Sequence, residues 1–123
     1  MSMVTHINLP VQNLNNSFKF YEDLLGAKFI TSFKNKEGED FKYVLEVDGF
    51  DLFLEKTDGV QIPKVFHFGV KLEREELFKK FESLKESHEH LKDKLIDNPV
   101  GSDTYRFYIK DPDNTIIEFY DAI

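Results

Sequence analysis

Two histidines and one glutamate stand where an imidazole and a carboxylate could do chemistry together. His6 opens the apolar run HINLPV, His67 opens HFGVKL, and Glu118 lies inside TIIEFYD. Imidazole nitrogen and carboxylate oxygen are both ligands for divalent ions, and two of the first with one of the second leave positions open for water or substrate. Each run has the character of a strand, in which residues two apart share a face. By that rule His6, Asn8 and Pro10 share one side, as do His67, Gly69 and Lys71, and Ile116, Glu118 and Tyr120. Glu118 sits between Ile117 and Phe119, where a carboxylate is costly unless something satisfies it. Taken singly, each residue also has an ordinary reading. A strand histidine can be solvated or hydrogen-bonded, and Glu118 can face solvent on an edge strand.

The elements that must position these residues follow from periodicity and turn chemistry. Val4 to Val11 reads as a strand, and Asn13 to Asn16 supply side chains that accept hydrogen bonds from the free amides of a first helical turn. Phe18, Tyr21, Leu24 and Leu25 then recur at helical spacing, and Gly26 stands where a helix-ending glycine belongs. Strands are expected at Ala27 to Phe33, Phe41 to Val47 and Phe50 to Glu55, the last two joined by the hairpin signal Asp48-Gly49. The pattern then starts over. Val65 to Leu72 reads as strand, and Glu73 to His90 as a charged helix with Leu77, Phe78, Phe81 and Leu84 on one face. Strands are expected at Lys94 to Asp97, Asp103 to Lys110 and Thr115 to Tyr120, with Asp111-Pro112-Asp113-Asn114 as the turn between the last two.

The order strand-helix-strand-strand-strand thus occurs twice, and the spacing agrees in detail. His6 lies 12 residues before Phe18 and 14 before Phe20, while His67 lies 11 before Phe78 and 14 before Phe81. The expected fold is α+β: one domain over residues 1–123 made of two βαβββ modules, about 1–57 and 64–123, forming a curved mixed sheet or cup. A half of this size buries little surface alone, so the halves should pair, within one chain or between two.

Composition narrows the function. The net charge of −7 argues against nucleic acid or an anionic membrane as partner, since both need a basic face. With no cysteine there is no disulfide framework and no thiolate chemistry. The start MSMVTHINL lacks signal-peptide character and no apolar stretch approaches membrane length, so a cytoplasmic protein is expected. His88 and His90, in KESHEHLKDK, are expected to face solvent. An i, i+2 pair does not share a helix face.

The segments THINLPVQNLNNSFKFYEDLLGAKF, HFGVKL and FYIKDPDNTIIEFYD resemble the vicinal oxygen chelate superfamily. That family includes glyoxalase I, fosfomycin- and bleomycin-resistance proteins, methylmalonyl-CoA epimerase and extradiol dioxygenases. The resemblance implies a divalent metal (Mn, Zn, Ni or Fe) held by His6, His67 and Glu118. It further implies Lewis-acid activation of an oxygen-rich small molecule in lyase, isomerase or thiol/water transferase chemistry, and a homodimer. The place of a fourth ligand found in some relatives falls on Phe53 when the two hairpins are matched by their turns, and on Glu55 after a two-residue slip. A three-ligand site is more similar to the fosfomycin-resistance enzymes. The alternative is a non-catalytic, bleomycin-resistance-like dimer that only binds a small molecule.

Around these ligands, Asn8, Lys71, Tyr108 and Tyr120 share faces with them and are candidate substrate contacts. Phe53 would form an apolar wall, and the resemblance gives Tyr108 a site-facing place alongside Glu118 in the chemistry. Arg106 is one of two arginines beside fourteen lysines, and alternation puts it on the same face as Tyr108. Its guanidinium is suited to a carboxylate or phosphonate, or it is simply an exposed arginine on an edge strand.

Overall fold

The computed structural model describes residues 2–91 and 94–122. The chain divides into two compact units, one holding residues up to Pro63 with the turn Asp111–Asn114, the other Lys64–Lys110 and the residues from Thr115 onward. Each contains a mixed sheet and one principal helix.

In the first unit, strand β1 (His6–Val11) leads into helix α1 (Leu14–Leu25). Asn13 is extended, and its side-chain oxygen accepts the Asn16 amide at 2.9 Å, so the helix starts where the asparagines allow. Leu14, Ser17, Tyr21 and Leu24 form its buried stripe. The helix stops at Gly26, whose left-handed backbone (φ 68°) lets its N–H reach the Glu22 carbonyl. Strands β2 (Lys28–Lys34), β3 (Asp40–Val47) and β4 (Phe50–Lys56) follow, and the sheet order is β1-β4-β3-β2. The Asp48-Gly49 turn has positive φ at both residues, the form that matches strand twist in a tight hairpin. Strand β1 lies parallel to β4 with Asn8 opposite Phe53, and a parallel neighbour of this kind requires the intervening crossover. Leu9, Val11, Leu52 and Leu54 are buried, whereas His6, Asn8, Phe53 and Glu55 belong to the opposite face.

The second unit repeats the plan with strand β5 (His67–Lys71), helix α2 (Arg74–Lys85), β6 (Arg106–Lys110) and β7 (Ile116–Tyr120), in the order β5-β7-β6. Its core is aromatic: Phe107 and Phe119 stack at 4.9 Å, and Phe81 of α2 packs against Phe107 at 5.2 Å. Several boundaries differ from the periodicity: β5 is shorter than the expected 65–72, and β6 starts at Arg106 rather than Asp103. The expected helix over 73–90 ends at Lys85, followed by a short 3-10 turn at Glu89–Leu91. Its apolar stripe runs out at Leu84, and the Ser87 hydroxyl and His88 imidazole then approach the Leu84 carbonyl, competing with helix continuation. The expected strand over 94–97 contributes only a bridge between Asp97 and Arg106. Asn98-Pro99 follows at once, and proline has no N–H with which to extend the ladder.

In the turn Asp111–Asn114 the two aspartates are buried while Pro112 and Asn114 are exposed. Tyr21 donates its hydroxyl to Asp111 Oδ2 at 2.7 Å, and Gln12 donates its backbone and side-chain N–H groups to Asp113. Burial pushes the Tyr21 pKa up, and the Asp111 carboxylate pushes it further, so the phenol remains a donor. Tyr21→Phe should therefore lower stability by about 1–3 kcal/mol, the cost of removing a partner from a buried polar group. Urea unfolding should show a lower midpoint with unchanged slope; an unchanged midpoint would mean that the bond contributes nothing.

Candidate functional site

On β5 and β7 the same-face alternation places His67 beside Glu118. Glu118 retains 14% side-chain exposure, while its neighbours Ile117 and Phe119 are fully buried on the other face. His67 Nε2 lies 3.5 Å from Glu118 Oε1. The other carboxylate oxygen, Oε2, accepts hydrogen bonds from Arg106 Nη1 and from the Tyr108 hydroxyl, each at 3.3 Å. These donors stand on β6, where Tyr108 pairs with Glu118 across the antiparallel ladder. One oxygen of Glu118 is thus held, and the other is turned toward the imidazole.

The far side of the His67 ring is also fixed. Nδ1 is 2.9 Å from the Val65 carbonyl, a contact that is a hydrogen bond only with the proton on Nδ1. In the neutral ring this leaves Nε2 as a lone pair facing a carboxylate oxygen. Two acceptors brought face to face are matched by a proton or a cation between them. An N···O separation of roughly 3.0–3.4 Å is what two ligands about 2.1 Å from one ion would span in octahedral or tetrahedral arrangement. The observed spacing is close to that range, and a ligand histidine anchored through its other nitrogen to a carbonyl is the expected outer-shell arrangement. His67 and Glu118 therefore fit a divalent ion as donors.

Beside them is a cavity of about 330 Å³ lined by Gly69, Arg106, Glu118, Tyr120 and Ala122. Arg106 Nε is buried with no hydrogen-bond partner among the described residues. Lys71 is exposed on the same face, at the end of β5.

His6 belongs to the first unit, where its ring stacks on Phe53 at 4.3 Å and 13°. Asn8 donates to Glu55 Oε1 at 3.2 Å, and Lys42 forms an ion pair with the same oxygen at 3.3 Å. Asn8 pairs in register with Phe53, just as Gly69 pairs with Glu118. Phe53 thus holds in the first unit the place that Glu118 holds in the second. Among the described residues no three His, Cys, Asp or Glu side chains converge, so the fold itself brings together a His67–Glu118 pair.

Residues 4–119 match the family model of the Glyoxalase/Bleomycin resistance protein/Dioxygenase superfamily. The chain belongs to this superfamily. It is 30% identical over 128 residues to the trivalent organoarsenical cleaving enzyme of Bacillus sp. (strain MD1), covering 94% of this chain and 70% of that one. It is similar in structure to a possible glyoxalase from Bacillus cereus, with TM-score 0.73 and 29% identity, covering 97% and 98% of the two chains. The fosfomycin resistance protein FosX of Listeria monocytogenes, in a structure complexed with Mn(II) and sulfate, shares the fold at TM-score 0.77 and 20% identity, covering 100% and 94%.

Within this glyoxalase-superfamily chain, sequence reasoning missed several supports. Gly69 was visible as a glycine inside a strand, which signals a close approach. The Val65 carbonyl carries no side-chain signal. Arg74 is a further case: its guanidinium bonds to Asp121 Oδ2 at 2.6 Å and to the Asp103 carbonyl, and it lies over the Tyr105 ring at 4.9 Å. Asp121 Oδ1 in turn accepts the Tyr105 amide at 2.8 Å, so these groups fix the chain immediately before Arg106. Among the described histidines, His88 lies beyond the end of α2 and His90 in the 3-10 turn, where Nε2 is 3.3 Å from the Tyr108 carbonyl.

Burial raises the Asp121 pKa, but the Tyr105 amide and the Arg74 guanidinium outweigh it and hold the carboxyl below its usual range. A carboxyl lowered in the folded state adds stability above its unfolded pKa, and that stability fades as pH falls through the folded value. Asp121→Asn should therefore destabilise fully near neutral pH, and the difference from wild type should shrink below about pH 4. Unfolding midpoints measured across that range check it, and a gap independent of pH would refute the linkage.

Proposed function

We propose that this chain is a small divalent-metal-dependent enzyme acting on an oxygen-rich small molecule, with His67 and Glu118 as ligands and His6 completing the set. The observation that carries this reading is the pairing of His67 Nε2 with Glu118 Oε1, each fixed from behind by a partner that leaves one donor free. The similarity to a named cleaving enzyme and the fold shared with a Mn(II)-containing protein support it. A divalent ion bound there supplies Lewis acidity, polarising a substrate oxygen and stabilising the negative charge that develops on it.

The chain's own groups do the rest. Arg106 and Tyr108 fix Glu118 in one orientation, and the Arg106 guanidinium lining the cavity supplies positive charge suited to an oxyanion. Tyr120 walls the cavity beside them. Asn8, Phe53 and Lys71 remain candidate contacts, and lyase, isomerase or thiol/water transferase chemistry is the proposed type. Trivalent arsenic is a soft centre suited to thiolates, and this sequence contains no cysteine. We therefore place the substrate among oxygen-rich molecules rather than organoarsenicals.

A second reading is favoured by one feature: Arg106 already balances the Glu118 charge. On that reading the face is a metal-free pocket of a small-molecule-binding dimer. Metal content separates the two. Purified wild type should hold about one divalent ion per chain, and His67→Ala or Glu118→Ala should weaken binding by more than the roughly 10–100-fold typical of losing an outer-shell partner. Wild type left metal-free after incubation with Mn²⁺, Zn²⁺, Ni²⁺ and Fe²⁺ would sink the enzyme reading.

The protein is further proposed to be a cytoplasmic homodimer in which His6 of one copy joins His67 and Glu118 of the other. Mixed dimers of His6→Ala and Glu118→Ala subunits should then regain Mn²⁺ binding at one of their two sites. No recovery on mixing would place all three ligands in one chain.

A further inference from the structure

Gly69 is unlike the other glycines of this chain. Gly26, Gly38, Gly49, Gly59 and Gly101 all have positive φ, so their backbone calls for glycine. Gly69 has ordinary strand backbone within β5, where glycine costs stability and packs nothing. What requires glycine here is space. A Cβ built at Gly69 would lie 2.9 Å from Tyr120 Cε1 and 3.6 Å from Cδ1, closer than the ring permits without moving. Tyr120 pairs with Lys71 in the parallel ladder, and its ring leans back over the neighbouring position, Gly69.

Both residues line the cavity of about 330 Å³ that also includes Glu118 and Arg106, and Gly69 is the register partner of Glu118. A volume near the lower end of those of small-molecule sites leaves little tolerance for a displaced aromatic ring. A side chain at position 69 would lift the ring off β5 and change the space beside Glu118. His67 and Glu118 themselves would keep their strand positions.

We propose that Gly69 determines ligand size at this site, by leaving the space over β5 in which the Tyr120 ring lies and so keeping open the cavity beside Glu118. The inference rests on the reading of this face as a ligand site, and names the residue that sets which ligands fit. It applies to the cavity's acceptance of bulk next to an oxyanion, a property separate from metal affinity.

The test uses inorganic phosphate, methylphosphonate and phenylphosphonate as probes of one anionic group with increasing bulk. Each is titrated calorimetrically into the full chain, both Mn²⁺-loaded and metal-free. Gly69→Ala should bind Mn²⁺ and phosphate within about twofold of wild type, while phenylphosphonate weakens at least about tenfold, a difference of about 1.4 kcal/mol. Tyr120 ring resonances should shift in the same variant. Tyr120→Ala, which leaves β5 untouched, should raise the phenylphosphonate-to-phosphate affinity ratio, and Gly69→Ala/Tyr120→Ala should recover the bulky probe. Equal losses for all three probes, unchanged affinity for all three, or no probe binding by wild type would each overturn the proposal. Absence of Mn²⁺ uptake with size selectivity intact in metal-free protein would remove the metal reading and leave the role of Gly69 standing.

Discussion

A carboxylate that keeps only 14% of its exposure must be compensated, and the second unit is arranged around that requirement. Glu118 lies on β7 between two residues that belong to the aromatic and aliphatic core, so its strand cannot shift without exposing Ile117 and Phe119. Its charge is met on the same face by Arg106 and Tyr108 from one neighbouring strand, while His67 on the other lies 3.5 Å from its second oxygen. Leaving such a group unpaired would cost several kcal/mol. Packing on one side of β7 therefore fixes the chemistry on the other.

The two units show how one backbone plan carries two kinds of chemistry. Both place a histidine at the start of a strand that runs parallel to a later one, with the residue two positions on paired to the centre of that strand. In the second unit that partner is Glu118, and the imidazole meets a charge. In the first it is Phe53, and the imidazole lies flat on a ring. Stacking orients an imidazole without occupying its nitrogens, whereas a carboxylate alongside adds a second electron-pair donor. The register is shared, and the side chain placed in it decides what the histidine can do.

Much of this was legible because strand and helix periods are local. Alternation put Glu118 with Tyr120, His67 with Gly69 and Lys71, and Arg106 with Tyr108, and those are the faces found. The asparagine cap, Gly26 and the Asp48-Gly49 turn declared their roles through backbone chemistry that needs no tertiary context. The features that were hidden are non-local. Asp111 and Asp113 read only as part of a turn because nothing near them in sequence announces Tyr21 or Gln12. The end of α2 and the near-absence of a strand at 94–97 reflect competition from Ser87, His88 and Pro99 that an apolar pattern does not weigh. Arg106 was visible as an isolated arginine, but its engagement with Glu118 depends on the antiparallel register between β6 and β7.

Arg106 also sets a limit on what the carboxylate can offer. Because Arg106 and Tyr108 both hold Oε2, Glu118 presents one oxygen toward His67 rather than two. If Glu118 takes a cation as proposed, the neighbouring guanidinium opposes that second positive charge and lowers intrinsic affinity for the ion. The same guanidinium favours an anionic ligand in the adjoining cavity and fixes the carboxylate rotamer before anything binds. An ion and an anionic ligand bound there together would offset each other's charge beside Arg106, so each should bind more tightly in the presence of the other. On the proposed metal reading, the arrangement would trade strength for an isolated ion against strength for an ion and ligand together.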